Sequence, residues 1–342
     1  MSRNRVVYIL ISIALSILLL SLLFSQIKAE DFIETLKNIS FPSLVVYMIL
    51  ALICAWLRAW RYKLFLKPEP IGWGNIMLAT FIRNSFVDLL PARAGSLSLI
   101  YVLNRRLGFS FEAATSTFIS AFVYDFLTLS PFLVMAIMAV GLGSASISNA
   151  ALLAVASAFF LVVLGIAWKT PQFFAVIVKF YRALLLRLNQ EEKTWARASL
   201  IKFQETVIQL KLIQEKRMAV PFFILSLGIR FTKYVSVYFL LYSLLRSHGF
   251  ALRTLSFWKL ILGITGAELT SALPVKGLAG FGTWESAWAL TFRLMDFDPR
   301  LAILSGMGVH LLSNIFEYSL GIAAIIILAL PWIKRKSTPA SG

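Results

Sequence analysis

Two short stretches of this 342-residue chain carry residue types suited to holding an anion. The first reads Asp88-Leu89-Leu90-Pro91-Ala92-Arg93-Ala94-Gly95-Ser96. The second reads Leu273-Pro274-Val275-Lys276-Gly277-Leu278-Ala279-Gly280-Phe281-Gly282, with Glu268 before it and Glu285 after it. Both contain Leu-Pro-x-basic followed by glycine. Proline lacks an N–H and glycine tolerates conformations other residues avoid, so Pro91 and Pro274 are expected to break a helix. A half-helix restarting near Ser96, and another near Thr283, would point free N–H groups and a dipole end at the break, which attracts anions. Arg93 and Lys276 would add full charges. Phosphate is the natural anion of a membrane, so the expected ligand is a lipid headgroup. Asn84, Gly95 and Ser96 would line one break, and Gly277, Gly280 and Gly282 would form a backbone nest at the other. No strand precedes those glycines, so they are not a dinucleotide fingerprint.

Further charges interrupt apolar runs: Arg83, Asp88, Asp125, Arg230, Lys233, Glu268, Glu285 and Glu317. A charge at the bilayer centre costs about 2.5–3.5 kcal/mol on insertion scales, so several together imply a polar interior. These groups are expected to balance or gate the two cations, with plain ion pairing as the simpler role for each. Asp125 is expected to face an arginine such as Arg93, with a proton-coupling role as the alternative. Arg58 and Arg61, at a helix end, read as interfacial anchors, with a ligand role as the alternative. Asn314 and Glu317, one turn apart, suit a polar lining or a helix-to-helix link. The lone Cys54 and the separated His248 and His310 form no metal cluster. No nucleophile elbow, His-based motif or nucleotide loop is present. No catalytic residue, cofactor or metal is therefore expected.

The elements that must position these groups are membrane helices. Hydrophobic residues make up 59% of the chain and charged ones 14%, with mean hydropathy +0.81. Soluble domains run near 45–50% and about 25%. The sequence thus predicts an all-α, polytopic membrane helix bundle forming one domain over residues 1–342. Apolar runs at 6–24, 43–66, 113–140, 149–168, 220–245 and 301–331 predict six full spans. Residues 76–107 and 257–295 predict two interrupted segments, either re-entrant or crossing twice. Broken segments at corresponding places in two halves point to an inverted repeat with a transport site between them.

The net charge of +17 lies mostly between and beside the apolar runs. That excludes nucleic acid as the partner and sets an orientation by the positive-inside rule. Arg3 and Arg5, the cations from Arg58 to Lys67, and Lys334-Arg335-Lys336 all belong on the cytoplasmic side, so both termini are expected there. The first run is too long for a usual signal peptide and reads as an uncleaved anchor. Residues 169–218 are basic and carry apolar residues at helical spacing, which predicts amphipathic helices on the inner leaflet. Residues 334–342 form a cytoplasmic tail.

Taken together, Asn84, Leu90-Pro91-Ala92-Arg93-Ala94-Gly95, Asp125 and Pro274…Gly280-Phe281-Gly282-Thr283-Trp284-Glu285 resemble the lysylphosphatidylglycerol synthase transmembrane region, also called the flippase-like domain family. The resemblance covers about residues 5–330. It implies a multi-pass protein of the cytoplasmic membrane of a bacterium or archaeon, in a family whose best-known members move an aminoacylated phospholipid between leaflets. The chain ends at Gly342, which implies a stand-alone member without the soluble aminoacyltransferase domain. Ser96 stands where many relatives carry an acidic residue. The function expected is a lipid flippase or transporter. Two other classes stay open at this point: a membrane enzyme acting on a lipid or lipid-linked sugar, and an accessory subunit of a lipid-modifying enzyme.

Overall fold

The computed structural model describes residues 3–66, 70–87, 89, 91–141, 148–215, 219–271 and 273–330. Asp88 and the basic tail at 334–342 lie outside the described residues. The chain opens with α1 (Arg3–Phe24), α2 (Ala29–Lys37), α3 (Phe41–Phe65) and α4 (Trp73–Phe86). A 3-10 turn over Pro91–Leu97 leads into the four-residue α5 (Ser98–Tyr101) and a π turn over Val102–Arg106. Then come α6 (Phe111–Leu127), α7 (Leu129–Val140), α8 (Asn149–Trp168), α9 (Thr170–Arg187) and α10 (Thr194–Glu215). The chain closes with α11 (Ala219–Leu245), α12 (Phe257–Thr270), α13 (Thr283–Arg293) and α14 (Pro299–Ala329).

A polytopic helical bundle is what the composition predicts. Four stretches are long and apolar enough to cross a bilayer alone: α3, α6 with α7, α11 with the turn that follows it, and α14. Two more qualify only as bent pairs, α1 with α2 at 86° and α8 with α9 at 75°. The expected six spans are reached when both pairs are included. The break between α6 and α7 has a local cause, since Pro131 has no N–H to offer the carbonyl of Leu127.

Both interrupted segments turn back. At about 1.5 Å per residue, the 14 residues of α12 reach only about 21 Å, short of a bilayer core of about 30 Å. Lys259 Nζ, at the start of α12, donates to the Met295 carbonyl just past α13 at 2.6 Å. Between those ends, a Cβ on Gly263 would lie 2.1 Å from the Phe292 ring, and one on Gly266 2.3 Å from Thr291 Oγ1. The two helices therefore lie side by side and antiparallel, as a re-entrant hairpin. In the first segment α4 is answered by a much shorter return, α5 and its π turn. Leu99 and Leu103 of that return are buried in the same cluster as Ile76 and Ala79 of α4. At the fold-back point a Cβ on Gly95 would lie 1.5 Å from the Phe86 carbonyl oxygen. That oxygen is backbone and has little room to shift. Gly95→Ala is therefore expected to lower stability by at least the ~1–3 kcal/mol of ordinary overpacking, read as thermal unfolding in detergent.

The halves pack reciprocally. α3 and α11 run antiparallel, with the Ser40 amide on the Ser243 carbonyl at one end (2.9 Å) and Arg61 on Ser226 Oγ toward the other (2.8 Å). α4 of the first hairpin packs on α14, the span after the second hairpin, where Ser85 Oγ donates to the Glu317 carbonyl at 2.9 Å. α12 of the second hairpin packs on α7, in the span after the first. Each hairpin thus sits on the other half's following span, the arrangement an inverted repeat produces.

Candidate functional site

Between the two hairpins lies a cavity with about 160 Å³ of free space. Its wall carries five cations, Arg58, Arg83, Arg93, Arg230 and Lys233, against the carboxylates Asp125, Glu268 and Glu317. They come from α3, α4, the 3-10 turn, α6, α11, α12 and α14, so no single segment makes the site.

Apart from Glu317, which with Asp125 acts on Arg58 electrostatically, the charges fall into three groups. At one edge Arg61 is fully buried, and its Nη1 donates to Asp125 Oδ1 at 2.7 Å and to Ser226 Oγ. Arg230 donates to the Asp125 carbonyl, to Tyr234 Oη at 3.2 Å and to Thr128 Oγ1 at 3.3 Å. In the second group Glu268 receives Lys233 directly and has Arg93 Nη2 at 3.9 Å. The third group is different. Arg58 Nη1 and Arg83 Nη1 both donate to one neutral acceptor, Asn84 Oδ1, at 2.9 and 3.2 Å. Two guanidinium charges are held together there with an amide oxygen between them. Around the cavity, Arg58 Nε, Arg83 Nε, Arg93 Nε and Asn314 Nδ2 are buried donors with no partner among the described residues. An unsatisfied buried donor costs about 1–3 kcal/mol. The arrangement suits a multiply accepting anion such as a phosphate.

The structure brings together Asn84, Arg83, Arg93, Asp125, Arg230, Glu268 and Glu317 on this wall. It places the other sequence candidates elsewhere. Lys276 is 2% exposed and off the wall. Gly277 packs against the Phe281 carbonyl and Ser16, while Gly280 and Gly282 hold left-handed turns at φ +85° and +86°. The N–H expected to greet an anion at the start of α13 is already used: the Gly282 amide donates to Glu285 Oε2 at 2.8 Å. Glu285 is thus the chain's own N-terminal cap. Near Ser96 the chain continues as a 3-10 turn, and Ser96 Oγ donates back to the Arg93 carbonyl. The helix that follows is too short to present a useful dipole. Gly95 serves the fold-back, Pro91 opens the 3-10 turn, and Pro274 lies exposed in the loop before α13.

Two pairings also differ from expectation. Asp125 faces Arg61 rather than Arg93, whose carboxylate is Glu268. Arg58 and Arg61 are inside the bundle, not anchors at its rim.

In sequence His310, far from His248, reads as an isolated histidine. It lines the cavity, 4% exposed, with Nδ1 at 2.7 Å from Glu285 Oε1 and its ring between Trp284 and Phe281. Its spacing to Asn314 and Glu317 puts all three on one face of α14. Glu285→Ala would uncap α13 and strip His310 of its partner. A stability loss of about 1–3 kcal/mol is expected in a detergent melt, with Glu285→Gln much milder because its amide oxygen can still accept from Gly282.

A family model described as the lysylphosphatidylglycerol synthase TM region matches residues 9–321. No curated protein matches the chain.

Proposed function

The chain belongs to the lysylphosphatidylglycerol synthase transmembrane-region family, and from that premise we propose that it moves a phosphate-bearing lipid between the two leaflets of a cytoplasmic membrane. Family membership supports a lipid-related membrane function. The observation that carries the finer reading is the convergence of Arg58 and Arg83 on Asn84 Oδ1. Buried like charges repel, and an anion between them relieves both the repulsion and their desolvation. Arginine forks match phosphate oxygens in bidentate geometry, which suits this pair better than it would two lysines. The headgroup would occupy the polar cavity while its acyl chains stay in lipid.

The antiparallel halves supply the second part of the argument. A site flanked by two oppositely inserted hairpins can open to one leaflet and then the other as the halves rock. Glu268, shared by Lys233 and Arg93, is the natural gate: it ties α11 and α12 to the 3-10 turn of the first hairpin. In this reading both termini face the cytoplasm, and a lipid-modifying enzyme supplies or consumes the lipid.

Purified protein in liposomes, with fluorescent phospholipids and a phosphate-free glycolipid as tracers, tests the proposal. Phospholipids are expected to cross faster than in protein-free vesicles, and the glycolipid is not. Equal rates with and without protein for every phospholipid tried would overturn it.

A further inference from the structure

A second cavity, of about 350 Å³, lies away from the charged one, among α6, α8, α10 and α11 where α8 bends into α9. We propose that it holds one acyl chain of a resident anionic phospholipid, distinct from the lipid that the central cavity would carry. The lining is largely hydrocarbon and aromatic, with Val123, Leu127, Phe160, Leu164, Ile213 and Phe223, and no charged side chain among the described lining residues. Its polar lining groups are few: Ser120, the Tyr124 hydroxyl, Thr170, and Gln214, whose amide donates to the Trp168 carbonyl.

Depth selects the occupant. From Phe160 to Trp168 the pocket follows α8 for about 12 Å at 1.5 Å per residue. One leaflet of hydrocarbon is about 15 Å deep, half of a bilayer core of about 30 Å. A single chain running from the interface toward the midplane fits that length. Trp168 sits at the mouth with 74% of its surface exposed, as an interfacial tryptophan would.

Charge selects the headgroup. Lys169 lies between two lining residues at the α8–α9 bend, and Lys211 follows the lining residue Leu210 on α10; both lysines are exposed. The bend continues into α9, which carries Lys179, Arg182 and Arg187. Anionic headgroups are drawn to such a rim.

The pocket also adjoins the central site without opening into it. Tyr124 lines this pocket while its neighbour Asp125 lines the charged cavity. Tyr124 packs with Phe65 and Phe222 at ring distances of 6.2 and 6.0 Å, forming an aromatic partition. A bound chain would brace the turn of α6 that presents Asp125 to Arg61.

The test uses the full chain in nanodiscs doped with phosphatidylglycerol or phosphatidylcholine brominated on the acyl chain. The Trp168 signal is the difference in emission between wild type and Trp168→Phe. Brominated phosphatidylglycerol is expected to quench it saturably, with half-effect at about a thirtyfold lower mole fraction than phosphatidylcholine, the scale of two rim lysines at about 1 kcal/mol each. Ala219→Phe fills the mouth at an exposed position and should make quenching rise linearly, as for bulk lipid. Lys169→Gln with Lys211→Gln should erase the preference between headgroups. Linear quenching by both lipids in the wild type, unchanged by Ala219→Phe, would overturn the site. Equal saturable quenching by both lipids would overturn the anionic assignment. The readout is binding, so it stands or falls independently of whether the protein moves lipid.

Discussion

Phospholipid transfer is expected to fall about tenfold to hundredfold when either Arg58 or Arg83 becomes alanine, the loss of one charge-assisted hydrogen bond worth about 1.5–3 kcal/mol. The double variant is expected at the rate of protein-free vesicles, because no second fork remains to clamp the phosphate. Both guanidiniums reach the same oxygen of Asn84, so each single change removes half of one clamp. Lysine at either position keeps the charge and loses the planar fork, and an intermediate rate is expected. Initial rates at equal amounts of monodisperse protein measure this. A double alanine variant that transports like wild type would remove these arginines from the headgroup site. The opposite control is Lys276→Ala, off the cavity wall, which is expected to leave the rate near that of wild type in protein that remains folded.

The largest stability effect is expected at Asp125. Arg61 is fully buried and has Asp125 as its carboxylate partner, so Asp125→Ala would leave a charge stranded in the bundle. Breaking a buried pair from one side typically costs about 3–5 kcal/mol. Removing both charges with shape kept, as in Asp125→Leu with Arg61→Met, often restores most of that loss. Thermal melts in detergent should therefore rank wild type and the double variant well above Asp125→Ala. If Asp125→Ala melts with wild type, the pair does not hold α3 to α6. Arg230 gives a second check. It bonds the Asp125 backbone carbonyl rather than the carboxylate, so this contact is expected to survive in Asp125→Ala while the Arg61 pair is lost.

Much of the frame was legible in one dimension because it depends on local composition. Apolar runs mark α3, α11 and α14, and Pro91 and Pro274 mark the two places where a helix cannot continue. Which charges meet was not legible, because that depends on the rotation and depth of each helix. Arg61 ends an apolar run, the position of a snorkelling anchor, yet α3 packs along α11 and carries Arg61 into the interior. Its stripe of Tyr47, Ala51, Cys54 and Arg58 at helical spacing was readable as a buried face, and it was the available signal. At the second break the glycines suggested an anion nest. The competing pattern, Gly282 followed three residues later by Glu285, already spelled a self-capped helix start. His310 is hard to read in sequence for a related reason. A lone histidine carries little information, whereas histidine, asparagine and glutamate on one face of an apolar helix carry a good deal.

The crossed seating of the hairpins has a mechanical consequence. A hairpin attached by chain to one half but packed on the other acts as a linkage with a pivot in each. When the halves rotate, neither hairpin can follow its own half freely. One must slide on its seat or drag the partner's span along. If the halves rock as proposed, the two access routes would be geared together, one side opening only as the other closes. Neither half is then a self-sufficient machine. A change in the seat of one hairpin, where α4 packs on α14 or α12 on α7, would then be felt in the other half as well.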